Sequence, residues 1–252
     1  WDWWPLPMDA PDTHRDTLCY TVGIQGTASY GQTAPFWLQT NRNGDISAAP
    51  YSGNLTAGVI KPATRPNRWF DYDFALTLTG RLQSQTAAIQ PSQNRTANLY
   101  SNLAYAHVRL YIIDITAGIQ PERYGAPDPL LTSGGLLYSA NARPMPGIRV
   151  AIDRWTSFPG LFGYLEIKGG IAHQLQFDNV YITQGKVHHK WIGGRIGGRL
   201  PVNLSYEFHH VAQWGGYSPV YGDLGNDWHA FMNAFMVRSG GTMTNDQINA
   251  QG

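Results

Sequence analysis

The chain has 252 residues, of which 42% are hydrophobic, 13% are aromatic and only 14% are charged, against about 25% charged in typical soluble domains. Its net charge is +1 at pH 7, and no Lys/Arg run reaches the roughly five to eight residues that suggest nucleic-acid binding. With a single cysteine, Cys19, the sequence also excludes an intrachain disulfide framework and a CxxC metal or redox site.

Residues 1–17 precede the first predicted strand, and residues 18–252 are expected to form one β-rich domain. A membrane-spanning helix needs about 20 consecutive apolar residues, and the best apolar run here is Gly160 to Leu165. No helical period of useful length appears. Alternation of apolar and polar residues instead predicts nine strands, which are Leu18–Ala28, Gly53–Ile60, Asp71–Gln83, Leu99–Leu110, Ile112–Gln120, Ile148–Trp155, Phe162–Leu175, Val187–Leu200 and Val202–Trp214.

The alternation places polar and apolar side chains on opposite faces of these strands. The polar face, expected to line a lumen, contains Asp71, Asp73, Arg81, Glu166, Lys168, Glu207 and His209. The apolar face, expected to contact lipid, contains Phe74, Leu76, Leu78, Leu204 and Phe208.

Strand length separates two candidate architectures. Soluble strands peak at about 5–6 residues, whereas strands that cross a bilayer need about 9–11. Several predicted strands reach the longer range, and aromatic residues such as Trp69 and Tyr111 gather at strand ends. A soluble sandwich or barrel with long strands remains the alternative, and the low charge favours an antiparallel transmembrane barrel.

Two histidine doublets and several carboxylates are candidates for metal binding or catalysis. His188-His189 and His209-His210 each point to opposite faces of a strand, so neither doublet can chelate one metal ion, although one His from each doublet could do so across neighbouring strands. Glu166 and Glu207 are candidate acids for glycoside hydrolysis, which requires a defined separation of two carboxyl groups. Polar lining of a barrel is the favoured interpretation, and we predict no metal, no cofactor and no catalytic residue.

Sugar binding is the better-supported activity. Carbohydrate sites combine aromatic rings with amide and charged side chains in concave places. The candidate polysaccharide-binding residues are Trp37, Asn41, Arg42, Gln213, Trp214 and Tyr217. For any single aromatic among them, an anchoring role at the membrane interface is the favoured interpretation.

Three blocks of sequence resemble the capsule assembly Wzi family. They are APFWLQTNRNGDIS from Ala34 to Ser47, SGGLLYSANARPMP from Ser133 to Pro146, and HHVAQWGG from His209 to Gly216, in that order. The resemblance implies a bacterial outer-membrane β-barrel that acts as a lectin, holding capsular or other surface polysaccharide without chemistry. It implies outer-membrane lipid as its surroundings and other envelope proteins as candidate partners.

Chain length departs from the family. The resemblance implies a barrel of about eighteen strands, while this chain holds about ten at the length of a spanning strand. We therefore expect residues 18–252 to be the N-terminal portion of a larger β-barrel, and residues 1–17 to be an N-terminal periplasmic or extended segment. Three other functions stay open: an outer-membrane pore, a structural subunit of an envelope complex, and a polysaccharide hydrolase.

Overall fold

The computed structural model describes residues 18–63, 69–86, 95–122, 124, 135, 137–177, 181–198 and 200–238. These residues are mostly antiparallel β-sheet, with 54% in strands and 6% in helices, which confirms the expected β-rich class. The proposed N-terminal segment, residues 1–17, lies outside the described residues. Neither helix in the described ranges combines the length and the apolar character needed to cross a membrane.

The elements follow one another in chain order as β1 (Cys19–Ala28), α1 (Phe36–Gln39), β2 (Tyr51–Lys61), β3 (Phe70–Gln83), β4 (Ala97–Tyr100), β5 (Ala104–Leu110), β6 (Ile113–Ile119), β7 (Pro146–Ser157), β8 (Leu165–Leu175), β9 (Lys186–Ile196), β10 (Leu204–Trp214), β11 (Tyr217–Ser218), β12 (Gly222–Asp223) and α2 (Trp228–Phe235). The chain divides into two compact units. Unit 1 comprises the described residues within 18–111 and 116–144, and unit 2 comprises the described residues within 112–115 and 145–238.

In unit 1, β3 is the strand on which the others assemble. β1 pairs antiparallel with β2, and β2 pairs antiparallel with β3. Two strands share the other edge of β3: β5 pairs with Phe70–Leu76, and β4 pairs with Thr79–Leu82. The single strand predicted over Leu99–Leu110 is therefore divided in two, and the Thr77 amide bridges the break by donating to the Leu103 carbonyl oxygen at 2.7 Å.

In unit 2, strands β7, β8, β9 and β10 pair in sequence order as an antiparallel sheet. The pairing of β7 with β8 shifts between Ile152 and Thr156, so that Asp153, Arg154 and Trp155 lie opposite the single residue Lys168. Helix α2 begins after Asp227, whose carboxylate accepts from the Ala230 amide at 2.8 Å. This helix was not predicted, because eight residues are too few to display a helical period among strand-like neighbours.

Both units bury polar side chains and expose apolar ones. On β3 the buried residues include Asp71, Thr77, Thr79 and Gln83. The residues between them that are exposed include Tyr72, Leu76, Leu78 and Leu82, whereas Phe74 is half-buried. In unit 2, His189 and Trp191 are buried while their neighbour Ile192 is exposed, as is Phe208 directly opposite it on β10. The alternation expected from the sequence is present, and it is inverted relative to a water-soluble sheet.

The buried apolar cluster of unit 1 contains few residues. It consists of Ile60, Ala75 and Leu103, with Tyr105 packed against it. The larger apolar surface is exposed on the other side of the strands, where it forms contiguous patches instead of isolated side chains. Contiguous exposed apolar area is the kind of surface that marks contact with lipid or a partner.

Close packing around Gly170 generates a stability prediction. A Cβ atom at Gly170 would lie 2.6 Å from Ala151 Cβ and 2.7 Å from Trp191 Cζ2. We expect Gly170→Ala to reduce the free energy of unfolding by about 1–3 kcal/mol, as overpacking does, in a urea titration. Gly23→Ala is the matched control, because a Cβ at Gly23 meets nothing within 4 Å. Equal stability of the two variants would contradict this packing.

Candidate functional site

Residues 40–47 of unit 1 form a tight loop that lies beside the polar face of β2 and β3. Asn41, Asn43 and Gly44 adopt positive φ angles of 57°, 51° and 71°. Close packing also requires glycine at position 44, because a Cβ atom there would lie 2.7 Å from Arg143 Cγ. The loop is thus shaped by residues that tolerate the left-handed conformation and by close contact with Arg143.

Arg81 of β3 fixes this loop to the sheet. Its Nη2 donates to the carbonyl oxygens of Gly44 at 2.6 Å and Asp45 at 2.7 Å, and also to the Tyr100 hydroxyl. Its Nε donates to Asn54 Oδ1 at 3.1 Å. One guanidinium therefore connects the loop with β2 and β4, using the several fixed donors that distinguish arginine from lysine.

Asn102 and Arg143 complete the cluster around Asp45. The Asn102 amide donates to Asp45 Oδ1 at 2.7 Å and to the Asn43 carbonyl oxygen at 2.9 Å. Arg143 Nε donates to Asn102 Oδ1 at 3.4 Å, and the guanidinium lies 4.7 Å from the centre of the Tyr100 ring. Burial raises the pKa of Asp45, although the nearby Arg81 opposes that shift, and burial lowers the pKa of Arg143.

Two of the sequence blocks that carry the family resemblance meet at this loop. Asn141 Oδ1 accepts from the Thr40 hydroxyl at 3.1 Å and from the Asn41 amide at 2.8 Å. The Asn43 amide donates to the Ala140 carbonyl oxygen at 2.6 Å. Segments a hundred residues apart in sequence are consequently joined by hydrogen bonds, and we call residues 40–47 with 139–143 the loop cluster.

Of the predicted sugar-binding residues, Trp37, Asn41 and Arg42 lie in unit 1. Trp37 belongs to the short helix α1, and its side chain is 71% exposed. Asn41 contacts Asn141 through its backbone, while the Arg42 carbonyl oxygen accepts from the Asp45 amide at 2.9 Å. Trp37 is therefore an exposed aromatic residue close in sequence to the loop cluster, as is Phe36 before it.

Gln213, Trp214 and Tyr217 lie in unit 2 in different surroundings. Gln213 Nε2 donates to Gln176 Oε1 at 2.6 Å. The Trp214 ring packs 5.5 Å from Phe231 of α2, with Lys186 Nζ 4.5 Å from its centre. Tyr217 is exposed, although its backbone pairs with Thr183. Tyr217 thus presents an open ring, whereas the ring of Trp214 is partly covered.

The polar face of unit 2 is a row of ion pairs. Lys168 pairs with Glu207 at 2.6 Å, and Arg195 Nε donates to Glu166 Oε2 at 2.5 Å. Trp155 lies between the two cations, with Lys168 Nζ 4.8 Å and Arg195 Cζ 5.2 Å from its ring centre. Both candidate hydrolytic acids therefore already face a cation.

Two of the histidines, His189 and His209, contact each other across neighbouring strands, as a composite arrangement of one histidine from each doublet would require. His189 Nε2 and His209 Nδ1 lie 3.1 Å apart, and His209 Nε2 is 3.2 Å from Glu207. His188 lies on the opposite face, near His173 and His210. Among the described residues, no group of three or more His, Cys, Asp or Glu side chains is arranged to hold a metal ion.

Sequence reasoning did not assign five residues that the structure brings into these sites. They are Asp45, Asn102, Asn141, Arg143 and Trp155. Asp45, Asn141 and Arg143 lie inside the blocks that resemble the Wzi family, so that resemblance was the available signal. Trp155 has the same strand parity as Arg149 and Asp153, but its pairing with two cations depends on the register shift in β7.

No protein-family model matches the chain, and no curated protein or solved structure shows significant similarity to it.

The buried carboxyl group of Asp45 predicts a pH dependence. Because its pKa in the folded protein is raised above the unfolded value of about 4, the folded state binds the proton more tightly. Its contribution to stability is full below about pH 4 and is lost as the pH rises through the raised pKa. We expect the free energy of unfolding, relative to Asp45→Asn, to fall over that range in urea titrations. A difference that stays constant with pH would contradict the assignment.

Proposed function

We propose that this protein is an outer-membrane β-barrel protein that binds capsular or other surface polysaccharide and anchors it at the cell surface, without catalysing a reaction. The observation that carries the proposal is the inverted sheet, which buries Asp71, Thr79 and Gln83 on one face of β3 and exposes Leu76 and Leu78 on the other. In a bilayer, the apolar face contacts lipid and the polar face lines the interior.

Energetics favour a bilayer over water for this surface. Moving a Leu, Ile or Phe side chain fully out of water stabilises a protein by about 1.5–3 kcal/mol. Exposed aliphatic residues occur on successive strands of both units, as at Ile24, Leu55 and Leu76 in unit 1 and Ile148, Ile171 and Ile192 in unit 2. Contact with lipid would remove all of these side chains from water, whereas in a water-soluble protein they would stay hydrated.

Strand lengths support the same proposal. β1, β2, β8, β9 and β10 have 10 or 11 residues, and β7 has 12. A tilted strand needs about 9–11 residues to cross the hydrocarbon core. Barrel closure belongs to the proposal, because an open sheet edge in lipid leaves unpaired backbone groups at a cost of several kcal/mol each.

Connections in unit 1 give the proposed barrel an orientation. Residues 29–50 join β1 to β2, whereas only residues 62–69 join β2 to β3 at the opposite strand ends. Outer-membrane barrels place long loops outside the cell and short turns in the periplasm. The loop cluster and Trp37 lie at the long-loop end, so the proposal places them on the side where surface polysaccharide is found.

Chemistry at that end suits a sugar. Trp37 presents an exposed ring for the apolar face of a pyranose, next to a loop rich in amide and guanidinium groups. The internal hydrogen bonds of Arg81 and Asn102 keep the loop in one conformation, which lowers the entropy cost of binding. The resemblance to the Wzi family is the reason for proposing polysaccharide as the ligand.

Membrane insertion is tested on two neighbouring residues of β1. Ile24 is 81% exposed on the apolar face, and Gln25 lies beside it on the polar face. We expect Ile24→Arg to destabilise the folded protein in lipid vesicles by about 2–4 kcal/mol, and Gln25→Arg to cost far less. The measurement is the urea dependence of folding into phosphatidylcholine vesicles.

A membrane-embedded sheet and a water-soluble domain predict opposite effects of Ile24→Arg on stability. In a water-soluble domain, Ile24→Arg would replace an exposed apolar residue with a charge and would leave stability unchanged or improved. Equal behaviour of the two variants, with folding independent of vesicles, would reject the membrane assignment.

Polysaccharide binding is tested with the host's own surface polysaccharide and protein purified in detergent. We expect saturable binding without release of smaller saccharides, and at least a tenfold loss of affinity in Trp37→Ala, which is about 1.4 kcal/mol. Trp69→Ala is the matched control, because Trp69 is 72% exposed but precedes β3 at the short-connection end.

Other outcomes identify the other classes. Cleavage of the polysaccharide that is lost in Glu166→Gln or Glu207→Gln would indicate a hydrolase. Absence of binding together with ion conductance in planar bilayers would indicate a pore. Equal loss of affinity in Trp37→Ala and Trp69→Ala would reject the loop cluster as the site.

A further inference from the structure

Helix α2 of unit 2 packs against two histidines of the neighbouring strands, and a third histidine lies beside them. The Phe235 ring centre lies 5.2 Å from that of His188, and the Phe231 ring centre lies 5.7 Å from that of His173. His210 lies next to His188, with 6.3 Å between the ring centres. Phe231 and Phe235 thus cover imidazoles contributed by β8 and β9, beside a third from β10.

Those histidines occupy the apolar face of the sheet. His188 has the same strand parity as Ile192, which pairs with Phe208 on β10, and His173 pairs directly with His188 on β8. Phe208 is 69% exposed, whereas His188 is 1% exposed. The helix therefore covers the part of the apolar face where polar rings replace aliphatic side chains.

The helix is held in place at both ends. Asp227 caps its first turn, and Lys186 Nζ donates to Asn226 Oδ1 at 2.9 Å just before it. At the other end, Lys190 Nζ of β9 donates to the Phe235 carbonyl oxygen, one of the carbonyl groups that a helix leaves unpaired. A helix of eight residues is thereby fixed against the sheet.

Exposed apolar side chains lie at the two ends of α2. The Trp228 side chain is 72% exposed, and Val237, just beyond the helix, is 65% exposed. The polar residues His229 and Asn233 contact each other elsewhere on its exposed surface. Exposed Trp beside polar groups is the composition of helices that lie in the headgroup region of a bilayer.

We propose that α2 is an interfacial helix that docks the end of the β8–β10 sheet into the headgroup region of a lipid bilayer, with Trp228 and Val237 as its lipid contacts. The inference rests on the proposed membrane location. We choose the bilayer as the contact surface of α2 because the helix lies on the same face of the sheet as Ile192 and Phe208. The proposed function places those two side chains in lipid.

Nitroxide labelling tests the helix and the sheet separately. Cys19 is the chain's one cysteine, so Cys19→Ser provides a background for single labels. Trp228→Cys and Val237→Cys report on the proposed lipid contacts, and His229→Cys is the matched control on the same helix. Phe208→Cys and Ser205→Cys report on the apolar and polar faces of β10.

Depth is measured in phosphatidylcholine vesicles from the collision rates of each label with oxygen and with a water-soluble nickel complex. We expect the highest oxygen-to-nickel ratio at position 208, ratios several-fold above that of position 229 at positions 228 and 237, and the lowest ratio at position 205. This order supports an interfacial α2.

Two contrary outcomes are distinguishable. If position 208 lies in the acyl chains while positions 228 and 237 match position 229, α2 is exposed to water and the inference fails, but the membrane location stands. If positions 208 and 205 are equally accessible to nickel, the sheet is not in the bilayer and the proposed function fails with it.

Discussion

Antiparallel register is the constraint on which both units depend. Asn54 pairs directly with Arg81, and Thr56 pairs with Thr79, so polar residues of β2 and β3 meet on one face. The threonine hydroxyls lie 2.9 Å apart, and Arg81 Nε donates to Asn54. A shift of one residue would move every polar side chain of one strand to the opposite face. The hydrogen bonds between side chains therefore select the register that also gathers the aliphatic residues on the other side.

Polar side chains can be buried in this way only when they form hydrogen bonds or ion pairs with one another. In unit 2 the cations and carboxylates alternate, with Lys168 against Glu207 and Arg195 against Glu166. Removing one member would leave its partner charge uncompensated in a half-buried place, which costs more than the pair contributes. The face is therefore balanced in charge.

Much of the strand pattern could be predicted from sequence because alternation is a local property. The strand expected over Asp71–Gln83 is observed as Phe70–Gln83, and the polar and apolar sets divide between its faces as expected. The break at 101–103 was not predictable, since it depends on two strands sharing one edge of β3. The same is true of Asp45, whose role comes from Arg81, Asn102 and Arg143, residues far apart in sequence. Helix α2 depends on Asp227 and Lys190, and no periodicity of its own reveals it.

The register shift in β7 limits how this strand can change in length. Asp153, Arg154 and Trp155 face the single residue Lys168, which is two more residues than regular pairing requires, so the strand resumes at Thr156 with its faces unchanged. An even number of inserted residues leaves every later side chain on its original face, because side chains alternate with a period of two. A single inserted residue would keep the later side chains on their faces only if the backbone at the insertion adopted the altered conformation of a one-residue bulge. Changes in length by two residues are therefore the ones that this part of β7 accommodates without a further change of backbone conformation.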